Sequence, residues 1–342
     1  MSKPIYRIAN FLKLVIEALW NRITPRQISL HWGGHHESHW DQVLEPGIKK
    51  FIGVYALDPS PPVMFAVNDQ IVSDYVHRHS FHDRAIVKLR NATFDPHSGD
   101  VFVGSRFIRE SQAHRMEPGI RKSLRTRSFG DQPIIGVTQQ THYHWLIETL
   151  PRVIRAAEFE PKAVIIAPTG LSPVQRSAIE TLCREIVYTD DRCKSNNLVL
   201  ATTSEDSGWA HPRDLELLRK VFHIPDRIGS RQIFVTRVHS RRADATSREV
   251  ERFAQNTGWM VVRAETLSWQ EHLDIFGDAR VIAGEHGAGL SNLALAPKGS
   301  FLTEILRRDC ANPCYAALSM AINGDSTHYR SIELKNFRLM RT

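Results

Sequence analysis

The chain has 342 residues, 42% of them hydrophobic and 24% charged, an ordinary globular balance with length for two domains and a sizeable core. That composition excludes a fibre or a long disordered tail. The formal net charge of +7 points to an anionic partner, and nucleic acid, an acidic membrane surface and a phosphorylated small molecule would each satisfy it.

At the N-terminus, "PIYRIANFLKLVIEALWNRI" predicts an amphipathic helix within residues 1–26. Asn10, Lys13 and Glu17 make it too polar to span a bilayer. Ile5, Ile8, Leu12, Val15, Ile16 and Leu19 recur at helical spacing beside Lys3, Arg7, Lys13, Arg22 and Arg26, so the helix either lies on an anionic inner-membrane surface or packs on its own domain. "HWGGHHESHW" crowds His31, His35, His36 and His39, but its glycines and the lack of a nearby cysteine predict a loop, with no metal bound.

Short β-like runs follow, "FIGVYAL", "VMFAV", "RAIVKLRNATF" and "DVFVGSRF", and make the start of an N-terminal α/β domain (27–208) β-rich. The basic cluster "RKSLRTR" at Arg121 to Arg127 has no nucleic-acid docking motif beside it, which points to acidic lipid or a phosphorylated acceptor and away from nucleic acid. Four cysteines, Cys183, Cys193, Cys310 and Cys314, form no C-x-x-C pairs, and with no cleavable signal peptide they read as reduced thiols of a cytoplasmic protein.

From Pro133 the rhythm becomes strand, helix, strand: "PIIGVT", a helix across "HWLIETLPRVIRAAE", "AVIIAP", a helix over "SPVQRSAIETLCRE", then "EIVYTD" and "NLVLATT". A polar, partly helical linker (209–229) leads to a second alternating series (230–342), from "RQIFVTRV" to "HYRSIEL". The predicted fold is therefore α/β: two Rossmann-like, doubly wound domains with a ligand-binding cleft between them.

"ARVIAGEHGAGLSNLALA" joins a strand to a glycine-rich turn and a predicted helix. Gly284, Gly287 and Gly289 would permit positive φ and close approach, and the helix N-terminus would present free N–H groups, making either a diphosphate cradle or merely a tight turn. Glu304, twenty positions after Gly284, is placed to reach ribose hydroxyls. Arg237 closes the preceding "IFVTR" strand, and Arg241 and Arg242 share its loop, where forked guanidinium groups suit phosphate oxygens.

On the opposite wall, "QQTHYHWLIETLPRV" places His144 and Glu148 four apart on one helical face. Either could act as a general base on a hydroxyl; the alternative has His144 capping or packing while Glu148 pairs with Arg152. His142, His144 and Glu148 lack an H-E-x-x-H pattern, which argues against zinc.

These motifs resemble glycosyltransferase family 61, in its bacterial capsular-polysaccharide type. The family's "G-p-H-G-A-g-L-x-N" run and its later glutamate are matched by "GEHGAGLSNLALAPKGSFLTE", through His286, Gly287, Ala288, Gly289, Asn292, Gly299 and Glu304. "THYHWLIETLPR", "TRVHSRR" and "LSWQEHLDIFGDARVIAG" resemble its other signatures. Three positions depart: Thr141 replaces a usual Asn, an Asn-Glu pair is missing after the double arginine in "RRADATSRE", and His272 stands where Gln is common.

The resemblance implies a GT-B-like architecture and an inverting, metal-independent transfer from a nucleotide-sugar donor to a glycan or lipid-linked acceptor in surface-polysaccharide assembly, with no cofactor. It implies an acceptor-side N-terminal domain carrying His144 or Glu148 as base. In the C-terminal domain, Arg237, Arg242, Gly284, His286, Gly287, Ala288, Gly289, Asn292 and Glu304 would hold the donor. A non-catalytic nucleotide- or glycan-binding relative, and a nucleotide-sugar epimerase or oxidoreductase on a similar frame, stay open at this point; the G-x-x-G-x-G order argues against the oxidoreductase.

Overall fold

Three sheets carry the chain, seen here in a computed structural model whose described residues are 27–28, 52–58, 84–104, 106–108, 125–202, 208–238, 243, 245–306 and 312–333. The expected N-terminal helix (1–26), the histidine cluster His31 to His39, the "VMFAV" run, Arg241, Arg242 and Cys310 lie outside the described residues.

The first sheet is small and mixed. Its order is β1 (Gln27–Ile28), β6 (Arg106–Ile108), β5 (Val101–Val103), β4 (Ala92–Phe94), β11 (Arg192–Ser195) and β7 (Thr126–Ser128). The second orders β10 (Ile186–Tyr188), β9 (Val164–Ala167), β8 (Ile134–Gly136), β12 (Leu198–Ala201), β3 (Arg84–Leu89) and β2 (Ile52–Asp58). Its β10-β9-β8-β12 portion is parallel, while β3 runs antiparallel to both neighbours. Continuous apolar runs such as "VIIA" of β9, buried at every position, are what a parallel strand covered on both faces requires.

The third sheet is wholly parallel, in the order β14 (Met260–Val262), β13 (Arg231–Val235), β15 (Ala279–Glu285), β16 (Phe301–Leu306), β17 (Tyr329–Glu333). Counted within the sheet this is 2-1-3-4-5. The chain direction therefore reverses between β13 and β15, and a doubly wound sheet opens a crevice at the carboxyl ends of that strand pair.

Helix α1 is a composite: an α turn His142–His144, a π turn Trp145–Thr149 and an α segment Leu150–Phe159. The π turn has a local cause. Pro151 cannot donate to Ile147, and the Leu150 amide instead reaches back five residues to the Trp145 carbonyl. The remaining helices are α2 (Pro173–Glu180), α3 (Pro212–Val221), α4 (Ala245–Asn256), α5 (Trp269–Phe276) and α6 (Cys314–Asn323). Capping boxes start α2 at Ser172/Gln175 and α5 at Ser268/Glu271.

One large hydrophobic cluster runs through both α/β sheets. It includes Ile135 and Leu146 on one side, Leu290 and Leu318 on the other, and Leu215 and Leu218 of α3 between them. Asp214 of α3 is buried between Arg84 (2.8 Å) and Arg155 (3.3 Å), which ties this helix to β3 and α1. Among the described residues no helix is long and apolar enough to cross a membrane.

Two local expectations are corrected. The segment after the glycine turn is not an α-helix but a 3-10 helix, Ala288–Leu295. Ser291 Oγ donates to the Ala288 carbonyl (2.6 Å) and Asn292 Nδ2 to the Gly289 carbonyl (2.9 Å), both three residues back, so side chains take the acceptors that α-helical amides would use. Nor do Gly284, Gly287 and Gly289 adopt the left-handed φ that favours glycine; Gly287 is extended at φ 172°. They are glycine for space: a Cβ on Gly284 would lie 2.7 Å from the Val235 carbonyl oxygen, and one on Gly289 2.7 Å from Val235 Cγ1.

Candidate active site

A cavity of about 510 Å³ opens at the β13/β15 reversal point. Val235, Thr236 and Arg237 from the end of β13, and Glu285 to Gly289 apart from His286, form one wall. Gln139, Gln140, His142 and Gln175 from the N-terminal half form the other. The ligand space is thus shared by two sheets joined through one core.

Arg237 lies across the glycine turn. Its Nη1 donates to the His286 carbonyl, and a Cβ on Gly287 would sit 3.1 Å from its Cδ and Nε, so the missing side chain is what lets the guanidinium settle there. Tyr315 of α6 donates to the Gly287 carbonyl at 2.6 Å. With those carbonyls satisfied, the amides of Ala288 and Gly289, first in the 3-10 helix, have no acceptor among the described residues. Unpaired amides at a helix start beside an arginine form a site for anionic oxygen.

Next to the cavity, two histidine–carboxylate pairs flank a pair of tyrosines. His286 Nδ1 is 2.5 Å from Glu304 Oε1, and Tyr329 donates to Glu304 Oε2 at 2.6 Å. His144 Nδ1 is 2.8 Å from Glu148 Oε1, which also accepts from the Gly208 amide at 3.2 Å. Each carboxylate fixes the proton of the neutral ring on Nδ1. Tyr143 and Tyr315 meet edge to face at 5.6 Å, with His144 on Tyr143 (5.5 Å) and His286 on Tyr315 (5.2 Å). Hydrogen bonding to Glu148 raises the His144 pKa above its ordinary value against the opposing effect of burial.

The matched region begins on α1 and ends on β16. Residues 142–303 match the glycosyltransferase 61 family model. No curated protein matches the chain.

Within the glycosyltransferase 61 match fall His144, Glu148, Arg237, Gly284, His286, Gly287, Ala288, Gly289 and Asn292, with Glu304 one residue beyond it. They do not converge on one spot. Arg237, Gly287, Ala288 and Gly289 line the cavity, whereas His144, Glu148 and His286 stand outside its lining, around the tyrosines. Glu148 does not pair with Arg152, whose Nε instead donates to the Ala201 carbonyl at 2.8 Å. Glu304 has no exposed surface, and its two oxygens are engaged by His286 and Tyr329. Asn292, also fully buried, lies beneath the cradle.

The cavity also has lining residues that spacing did not reveal. Glu285 and Glu265 supply carboxylates to the lining, and Gln139 and Gln140 supply amides from the loop before α1. "EHGAG" did contain Glu285, at a strand end, which was the available signal. Nothing in the sequence pattern marks Glu265, which reaches the cavity on a 3-10 turn, Ala264–Thr266.

Proposed function

We propose that the protein is an inverting, metal-independent glycosyltransferase whose nucleotide-sugar donor occupies the β13/β15 cavity. The observation that carries this reading is the free Ala288 and Gly289 amides beside Arg237, at the reversal point of a parallel sheet. These groups would hold the diphosphate and neutralise the charge it gains on departure. Glu285 and Glu265, in the cavity lining, suit the donor's hydroxyls.

Inversion takes one displacement. The acceptor hydroxyl oxygen attacks the anomeric carbon, the bond from that carbon to the diphosphate oxygen breaks, and the nucleoside diphosphate leaves with the electron pair. The hydroxyl proton passes to His144 Nε2, with Glu148 holding the ring and stabilising the imidazolium that forms. His286, one residue from the cavity and backed by Glu304, would face the departing phosphate.

A GT-B-like division, with the boundary in residues 209–229, fits a donor gripped from the C-terminal side and an acceptor admitted from the N-terminal side. The net charge of +7 suits a glycan or lipid-linked acceptor at an anionic membrane face, on the cytoplasmic side. Capsular or related surface-polysaccharide assembly is the setting we favour.

A thermal-shift screen of UDP-, GDP-, CMP- and dTDP-linked sugars tests the reading, since a donor that binds the native state must raise its melting temperature. At least one should do so, and Arg237→Ala should abolish the rise. No shift with any of them would overturn the assignment; binding without transfer to any glycan acceptor would leave a non-catalytic binding protein.

A further inference from the structure

We infer that His142 is a specificity-determining residue of the cavity, its Nδ1 lone pair accepting a hydrogen bond from a hydroxyl or N–H group of the bound nucleotide sugar. The inference rests on the nucleotide-sugar reading of the cavity.

Asn292 sets the tautomer of His142. Its Nδ2 donates to the Gly289 carbonyl at 2.9 Å, which fixes the amide, because the flipped orientation would set two acceptors against each other. Oδ1 then faces both His142 Nε2 (3.1 Å) and His272 Nδ1 (2.9 Å). An amide oxygen only accepts, so each of those ring nitrogens carries a proton. In His142 the other nitrogen, Nδ1, is therefore the bare one while the ring is neutral. Burial lowers the His142 pKa, partly offset by the Asn292 bond, and keeps the ring in that neutral form.

His142 lines the cavity on the wall facing Arg237 and Gly287, and its Nδ1 has no partner among the described residues. A half-buried acceptor held in one tautomer discriminates well: a ligand group that donates gains a bond, and one that only accepts meets a repelling lone pair. The opposing wall offers donors for the diphosphate, so an acceptor here reads a different part of the same molecule.

Two substitutions separate reading from scaffolding. His142→Asn keeps an acceptor at the Nδ1 position and gives up the bond to Asn292; His142→Gln keeps a donor for Asn292 and gives up the Nδ1 acceptor. Calorimetric titrations would use UDP, UDP-glucose, UDP-N-acetylglucosamine, GDP and GDP-mannose, with a thermal melt of each variant to register its folding. We expect His142→Gln to weaken the best-bound nucleotide sugar by about three- to tenfold, the scale of one lost neutral hydrogen bond, and His142→Asn to retain most of the affinity.

A loss confined to the intact nucleotide sugar places the donor group on the sugar; an equal loss for the free nucleotide places it on the nucleoside. Wild-type affinity in His142→Gln, with His142→Asn weakened, would overturn the inference and leave His142 a clasp on Asn292. If the unaltered protein binds none of the five, and no CMP- or dTDP-linked sugar either, the cavity reading itself fails, and this inference with it.

Discussion

Glu304 holds His286 at 2.5 Å from a position with no exposed surface, and Tyr329 fills its second oxygen, so the imidazole is the part of this three-residue unit most open to solvent. The carboxylate lies beside Gly284 in the β15/β16 register and is carried by the sheet itself.

Replacing Glu304 should separate folding from function. Glu304→Ala strands two buried donors and is expected to cost about 2–4 kcal/mol, measured by urea unfolding. Glu304→Gln retains an oxygen for His286 and lets the Tyr329 hydroxyl turn to accept, so it should unfold nearly like wild type. It removes the charge behind His286, and transfer by this variant should fall by about tenfold or more.

His144 predicts a pH dependence of defined sign. Its pKa is raised in the folded state, so the dyad's contribution to stability is complete below the unfolded value of about 6.5 and is lost as pH rises through the folded value. Transfer needs the ring unprotonated and should run the other way, increasing across that same interval. His144→Gln should flatten both curves, which paired rate and urea-melt series between about pH 5.5 and about pH 8.5 would reveal.

The core histidines behave oppositely. Burial pushes His272 down to about 4, with the nearby His142 adding to the shift, and pushes His211 down to about 4, with Arg84 and Arg155 adding against Asp214. The unfolded chain then takes up these protons first, so stability should decline as pH falls from about 6.5 towards about 4. His272→Gln should shallow that decline, by an amount on the order of 3 kcal/mol at its limit.

The three turn glycines should rank by what they touch. Gly284→Ala meets the Val235 backbone oxygen at 2.7 Å and Gly289→Ala the Val235 side chain at 2.7 Å, so both should lose about 1–3 kcal/mol of stability. Gly287→Ala meets only the flexible Arg237 side chain at 3.1 Å. It should fold well but displace the guanidinium, and its deficit should appear as weakened nucleotide binding in calorimetry.

The i, i+4 relation of His144 and Glu148 was readable because both lie on one helix, where spacing determines the face. The β13 and β15 strands were readable from their apolar runs, and the glycine turn from composition. The 3-10 form of Ala288–Leu295 was not, because it depends on Ser291 and Asn292 bonding carbonyls three residues back, a local competition that hydrophobic periodicity does not register. The His142–Asn292–His272 cluster was hidden for another reason: its first two members are 150 residues apart, and only the packing of α1 on the 3-10 helix brings them together. Distance along the chain places Glu304 on the strand after the glycine turn but does not say that its oxygens face His286 and Tyr329.

The π turn of α1 also sets a limit on how this helix can change. It holds one residue more than an α-helix needs between Tyr143 and Leu150, so deleting Ile147 would yield a regular α-helix and leave the residues before it near their present phase. Tyr143 would stay on the side of Tyr315, and His144 would become an i, i+3 neighbour of Glu148, still on one helix face. The surplus residue thus absorbs one position of chain length: a deletion within Leu150–Phe159 would turn the approach to the site by about 100°, whereas the same deletion in the π turn would leave its direction in place.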